Sequence, residues 1–192
     1  ATMRQLSDMS RKKSTAYVVL EISSTTNEAT KVEVTEKEAS VKNEGKTPSK
    51  KQLSLKTMNA DAYLAEKLQI TEGDEVYEIR SLYYADGVPY SLNTAVLPAE
   101  RFPKLDFFDF NNRSLYEVLG SFFHTEMYRV RQTLEAVTAD KEIAQMLAIS
   151  QPLLKIKAVS YSLEENREIP VEYYEAYILT EIQNYYVEKF TV

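Results

Sequence analysis

The feature that most constrains the fold is an internal repeat. Ala-x-x-Leu-x-Ile occurs at residues 65–70 and again at residues 144–149, each time at the end of a short segment with helical spacing. In both places an alternating segment, a polar turn and a second alternating segment follow, with Pro89 and Pro170 at matching points. A repeat of about 80 residues is longer than a solenoid unit. The two copies are therefore predicted to share one sheet.

The periodicity of apolar residues predicts the elements of each copy. They are a helix at 59–70, strands at 76–84 and 90–97, a helix at 114–123, a strand at 126–137, a helix at 138–149, and strands at 153–161 and 171–178. Ile79 matches Ile156 along the first strand of each copy, and Ser81 matches Ala158. We predict an α+β fold in which a pseudo-symmetric antiparallel sheet carries helices on one side.

Composition excludes several classes of protein. The net charge of −6 and the pI of about 5.0 lack the basic footprint of a domain that grips a phosphate backbone. The absence of Cys excludes disulfides and thiolate metal sites. His124 alone cannot form a histidine metal site, and its place after an apparent helix favours a surface or capping role. We expect no metal, no cofactor and no familiar catalytic constellation.

The chain also lacks the sequence signals of membrane insertion and export. It has no apolar run near 18 residues and no signal peptide with basic and apolar regions. Together with the lack of Cys, this predicts a soluble, cytoplasmic protein.

A succession of sequence blocks resembles one known family. The blocks are Ala-x-x-Leu-x-Ile, "ADGVP", "SLYEVL", "EAVTADKEIAQMLAI", "PLLKIKAVSY" and "IPVEYYEAYI", preceded by "EASVKNEGKTPSKKQL". In this order they resemble the UTRA domain, the effector-binding half of bacterial GntR/HutC-type transcription regulators, over residues 35–192. The resemblance implies a chorismate lyase-like fold, a homodimer, a small-molecule ligand between the sheet and its flanking helices, and control of an upstream DNA-binding domain.

The N-terminal segment carries a second resemblance. "TMRQLSDM" at 2–9 is similar to the end of the recognition helix of the family's winged helix-turn-helix domain, and "STAYVV" at 14–19 is similar to its wing strand. This implies that residues 1–34 are a remnant of, or linker from, that domain. It also implies DNA contacts for Thr2, Arg4 and Gln5. The alternative is that the first 15 residues are a basic, flexible tail.

The resemblance also implies which residues line the ligand pocket. Sugar-phosphate-sensing relatives carry an Arg-x-Arg pair at the positions of Ser81 and Tyr83, whereas Arg80 lies on the opposite face because side chains alternate along a strand. The implied ligand contacts are Ser81, Tyr83, Asn93, Ser114, Tyr116 and Glu172. For each, ordinary strand packing or helix capping is the alternative. None of the six is cationic, so we expect a neutral or weakly anionic ligand and no arginine clamp.

The predicted function is that of an effector-sensing repressor domain, with a sugar, sugar phosphate or small carboxylate as effector. Two alternatives stay open. One is a chorismate lyase-like enzyme, which would need convergent cations to bind a dicarboxylate. The other is a degenerate sensor that only dimerises, which the fourteen Tyr favour because Tyr is enriched at interfaces.

Overall fold

The computed structural model of the protein describes residues 18–23, 45–149 and 152–181. The elements in chain order are β1 (Val18–Ser23), β2 (Pro48–Asn59), α1 (Ala62–Leu68), β3 (Glu75–Ala85), β4 (Val88–Pro98), a 3₁₀ turn (Leu105–Phe107), α2 (Leu115–Ser121), β5 (Arg129–Thr138), α3 (Lys141–Leu147), β6 (Pro152–Glu164) and β7 (Arg167–Ile178).

The described strands form one antiparallel sheet in the order β1-β5-β6-β7-β4-β3-β2. β4 pairs with β7 at the centre, where Ala95 lies opposite Tyr174. The strands of the first copy extend to one side of this pair and those of the second copy to the other. The predicted repeat, with both copies in one sheet, is therefore confirmed. β1 lies within the segment 1–34 and adds a strand beside β5.

The two repeated helices share the same start and stop. The side chains of Asp61 and Asp140 each accept a hydrogen bond from the backbone N–H three residues later, at 2.8 and 2.9 Å. Such an N-cap satisfies one of the N–H groups that the first turn leaves unpaired. Both helices end at a left-handed residue, Gln69 or Ala148. These signals make both helices shorter than the predicted segments 59–70 and 138–149.

The two hairpins also share their turns. Asp86 and Gly87 join β3 to β4, and Glu165 and Asn166 join β6 to β7; all four residues have positive φ. Two left-handed residues form a turn whose twist matches that of the flanking strands. Two residue pairs beyond the first turn and four beyond the second, the register of the hairpin shifts by one residue, which leaves a bulge at Tyr90 and at Val171.

The helices α1 and α3 cover one face of the sheet, each over the other copy's strand. α1 packs against β7 and α3 against β4. The α1 residues Leu64 and Leu68 are buried with Val96 and Tyr173. Because each helix closes over the opposite copy, neither copy completes its core alone.

The other face of the sheet is covered differently in the two copies. Over the first copy, the connection 99–128 folds back, and its residues Phe102 and Leu119 pack against Ile79. Over the second copy the sheet residues form their own apolar cluster of Leu134, Ile156, Ala176 and Ile178. Because this connection carries α2, the prediction that the helices lie on one side of the sheet is wrong, and the connection encloses a space above the first copy.

Candidate functional site

A cavity of about 400 Å³ lies between the first-copy half of the sheet and residues 110–116. Small-ligand sites commonly have a volume of about 300 to 1,000 Å³. The structure brings all six side chains predicted as ligand contacts to this cavity: Ser81, Tyr83, Asn93, Ser114, Tyr116 and Glu172. Their contact with a ligand remains a prediction.

The floor of the cavity is a buried carboxylate. The Glu172 residue is only 2% exposed. The Tyr116 hydroxyl donates to Glu172 Oε2 at 2.6 Å, and the Ser160 hydroxyl donates to the same oxygen at 3.4 Å. Tyr116 reaches down from α2, so this hydrogen bond also ties α2 to the central strand β7. The cavity thus ends on a fixed hydrogen-bond acceptor.

The position of Glu172 depends on the bulge before it. Because successive side chains of a strand alternate, the extra residue at Val171 decides which face Glu172 occupies. Arg101 holds the chain here, since its guanidinium donates to the Pro170 carbonyl at 3.1 Å and also pairs with Glu164. Burial lowers the pKa of Arg101, and the charge of Glu164 opposes that shift. Sequence reasoning missed Arg101, which lies in no motif.

Two polar side chains on the sheet complete the inner wall. The Ser91 hydroxyl donates to Asn93 Oδ1 at 2.8 Å, which fixes the orientation of the Asn93 amide. Ser81 is 7% exposed and lies opposite Asn93 in the β3–β4 register. The Ser114 side chain makes no capping hydrogen bond to α2. The wall therefore offers hydroxyl and amide groups that both donate and accept.

The loop before α2 is clamped to the edge strand β2. The Gln52 backbone N–H donates to Asn111 Oδ1 at 2.8 Å, and the Phe110 backbone N–H donates to Gln52 Oε1 at 3.0 Å. Asp109 accepts hydrogen bonds from the Asn111 backbone and side chain, and these lower the pKa of the Asp109 carboxyl. The register of β2 shifts just after Gln52. This clamp fixes the outer wall of the cavity.

The lining also contains two cations that the sequence analysis did not place there. Lys50 and Arg113 both line the cavity. The Lys50 ammonium donates to the Arg113 backbone carbonyl at 2.8 Å. The six predicted positions carry no cation, whereas the lining as a whole contains these two. Lys50 lies within the compared block "EASVKNEGKTPSKKQL", for which no ligand position was implied, and Arg113 lies in the loop just before "SLYEVL".

Arg80 lies on the opposite face, as predicted. Its guanidinium donates to Glu142 Oε1 of α3 at 2.8 Å. On the same face, Lys155 pairs with Glu175 at 3.1 Å, and the Tyr173 hydroxyl donates to Glu175. Burial and the hydrogen bond to Glu175 raise the pKa of Tyr173 well above its usual range. These charges are paired with one another beneath the helices, away from the cavity.

Other sequence predictions concern residues away from this site. Thr2, Arg4 and Gln5 lie outside the described residues. His124 is exposed, with a φ of 52°, at the end of the turn after α2. Across 45–149 and 152–181, no group of three metal-ligating side chains comes together. None of the helices in the described part of the chain is long and apolar enough to cross a membrane.

Comparison with known proteins finds one family over most of the chain. The family model of the UTRA domain matches residues 43–182. A curated protein from Escherichia coli, named as a probable fructoselysine utilization operon transcriptional repressor, is 24% identical over 120 residues. The match covers 62% of this chain and 49% of that protein, so the chain spans about half the length of the curated relatives it matches.

Solved structures show the same fold. PhnF from Mycobacterium smegmatis superposes with a TM-score of 0.73 at 22% identity, covering 79% of this chain and 67% of that one. A GntR-family transcriptional regulator from Enterococcus faecalis superposes with a TM-score of 0.66 at 26% identity, covering 73% of this chain and 100% of that one. The predicted α+β, chorismate lyase-like fold is confirmed.

Proposed function

Because the chain belongs to the UTRA domain family, we propose that it is the effector-sensing and dimerisation domain of a GntR-type transcription regulator that acts as a repressor. The observation that supports this most is the cavity of about 400 Å³, whose lining includes all six positions that the family pattern implies. A cavity with a buried acceptor floor and a polar wall suits a small polar ligand.

The remainder of the full-length regulator follows from the family. An upstream winged helix-turn-helix domain would bind operator DNA, with residues 1–34 as its remnant or linker and Thr2, Arg4 and Gln5 as DNA contacts. Such a regulator works in the cytoplasm, where its operator is. Residues 35–192 form the effector domain and pair with a second copy.

The effector we propose is a sugar, a sugar phosphate or a small carboxylate. A thermal-shift screen of these compounds on the purified chain tests this directly. A ligand at about 100 times its Kd, if it binds only the folded state, adds about 2.7 kcal/mol to the free energy of unfolding. For a chain of this size that is a rise in Tm of about 5 to 11 °C.

The matched variants are Tyr83→Ala and Arg80→Ala, at positions three residues apart that face opposite sides of β3. We expect Tyr83→Ala to remove the shift and Arg80→Ala to retain it. The reverse result would move the ligand site to the helix face and contradict the proposal.

One feature supports the enzyme alternative: Lys50 and Arg113 supply the cations that binding of a dicarboxylate would need. Against it stand the relatives, which are transcription regulators by name. We propose that the chain has no catalytic activity. Release of 4-hydroxybenzoate from chorismate by the purified chain would favour the enzyme.

A third possibility is a domain that only dimerises. We expect the isolated chain to be a homodimer by light scattering and to bind duplex DNA negligibly at physiological salt, because its net charge is −6. A dimer that no compound stabilises would favour the dimerisation-only reading. A monomer at micromolar concentration would contradict the dimer.

A further inference from the structure

The cavity has opposite electrostatic character at its two ends. At the inner end lies the Glu172 carboxylate, 2% exposed and held by the Tyr116 hydroxyl. At the outer end, Asn111 and Arg113 are exposed and Lys50 is half-buried. The exposed residues mark the mouth of the cavity and the buried carboxylate its floor. An anion that enters would therefore be attracted to the mouth, whereas the floor offers a hydrogen-bond acceptor.

Strand register places Lys50 on the cavity face independently of the shape of the cavity. Lys50 lies directly opposite Tyr83 in the β2–β3 pair, so both side chains lie on the same face of the sheet. The neighbouring Lys51 is exposed and lies opposite Leu82, whose side chain packs on the helix face with α3. Because side chains alternate along β2, Lys50 faces the cavity and Lys51 faces the opposite side of the sheet.

The clamped loop brings Arg113 to the same place. The hydrogen bond from Lys50 Nζ to the Arg113 carbonyl, 2.8 Å long, holds the ammonium beside the loop. None of the described carboxylates forms an ion pair with Arg113. The nearby Asp109 carboxylate accepts a hydrogen bond from the Asn111 side chain. Its hydrogen bonds from Asn111 are the main cause of the lowered pKa of Asp109, and the charge of Lys50 lowers that pKa further. The mouth therefore holds two cations and one hydrogen-bonded carboxylate.

We infer that the ligand is bipolar: a phosphate or carboxylate group binds at Lys50 and Arg113, and a hydroxyl or amino end points toward Glu172. This inference rests on the proposed function and narrows its ligand class. It replaces the neutral or weakly anionic ligand that the six predicted positions alone suggested. The positive charge of the site then comes from β2 and the loop before α2, and Ser81 and Tyr83 contribute only neutral hydrogen-bonding groups.

The test uses inorganic phosphate and acetate as probes on the ¹⁵N-labelled chain, at constant ionic strength. We expect saturable shifts in the amide signals of Lys50, Arg113 and Ser114. Lys50→Met and Arg113→Gln should each weaken the binding roughly tenfold, because each removes a charge-assisted contact. Lys51→Met is the matched control and should leave the binding unchanged. The stronger of the two anions indicates whether a phosphate ester or a carboxylate is the natural group.

The possible outcomes separate this inference from the proposed function. Shifts that do not saturate, or that survive both variants, overturn the anion site. If a neutral compound from the thermal-shift screen binds in a Tyr83-dependent way while phosphate and acetate do not bind, the bipolar ligand is wrong and the sensor stands. If phosphate or acetate binds at Lys50 and Arg113 but no compound stabilises the chain, the anion site stands and the sensor fails.

Discussion

Equivalent residues of the two copies lie on the same face of one sheet, yet this face borders a cavity in the first copy and carries an apolar cluster in the second. In the first copy Ile79, Ser81 and Tyr83 border a polar cavity. Their equivalents in the second copy are Ile156, Ala158 and Ser160, all buried; Ile156 lies in a closed apolar cluster, and the Ser160 hydroxyl donates to Glu172. The helix caps, hairpin turns and bulges are nearly the same in both copies. The repeat therefore supplies the scaffold and does not by itself supply a site.

One local difference accounts for the site. The connection 99–128 folds over the first copy and brings α2 and its preceding loop above the sheet. The matching strand positions do not explain the site, because Leu134 and Ile178 of the second copy match Leu55 and Leu97 of the first. The sheet provides a rigid wall, and one connection turns half of it into a pocket.

The largest expected effect compares Ile156→Ala with Ile79→Ala. Ile156 is packed within a closed cluster, so Ile156→Ala should lower the free energy of unfolding by about 2 to 5 kcal/mol. Ile79 is also buried and packs against Phe102 and Leu119, but part of its side chain borders the cavity. We expect its loss to be smaller by at least about 1 kcal/mol. Urea denaturation measures the loss of unfolding free energy in both variants. Equal losses would contradict a cavity in the first copy and a closed apolar cluster in the second.

A second pair of variants adds side-chain volume instead of removing it. Ala158 is 3% exposed against the closed face, so Ala158→Leu should overpack it and cost about 1 to 3 kcal/mol of unfolding free energy. Ser81→Leu should cost less, because its side chain extends into the cavity. The measurement is again the urea midpoint at unchanged slope. A greater loss for Ser81→Leu would mean that the cavity is absent in solution.

The N-caps of the two repeated helices should contribute equally to stability. Asp61→Ala and Asp140→Ala each remove one N-cap and should each cost about 1 kcal/mol. Asp61→Asn and Asp140→Asn keep a capping oxygen and serve as controls. A difference between the two alanine variants well above 0.5 kcal/mol, roughly the margin of such measurements, would show that the scaffold is less symmetric than the caps indicate.

The smallest expected effect concerns Arg80 and Glu142. Their ion pair is partly exposed to solvent, so a double-mutant cycle should give a coupling energy of about 0.2 to 1 kcal/mol. Neither single variant should alter ligand affinity. Loss of binding in Arg80→Ala alone would assign Arg80 to the ligand and reverse the face of β3.

Much of the fold could be predicted from the sequence because its signals are local. The alternation in β3 predicts which side chains share a face, and the Asp residues predict that a helix begins nearby, without reference to distant residues. The clamp between Gln52 and Asn111 could not be predicted in this way, since it joins residues 59 apart in sequence. For the same reason the cations at Lys50 and Arg113 were missed. Their convergence depends on how the loop closes over β2, which no spacing in the sequence encodes.

The measurement that tests the central claim most directly is calorimetric titration of the compound that gives the largest thermal shift. It is titrated into the wild-type chain, Ser81→Leu and Ala158→Leu. The account predicts that Ser81→Leu stays folded and shows no binding heat, because leucine occupies the cavity, and that Ala158→Leu, though less stable, binds with wild-type affinity. Wild-type binding by Ser81→Leu, or loss of binding in Ala158→Leu alone, would contradict a ligand site in the first copy.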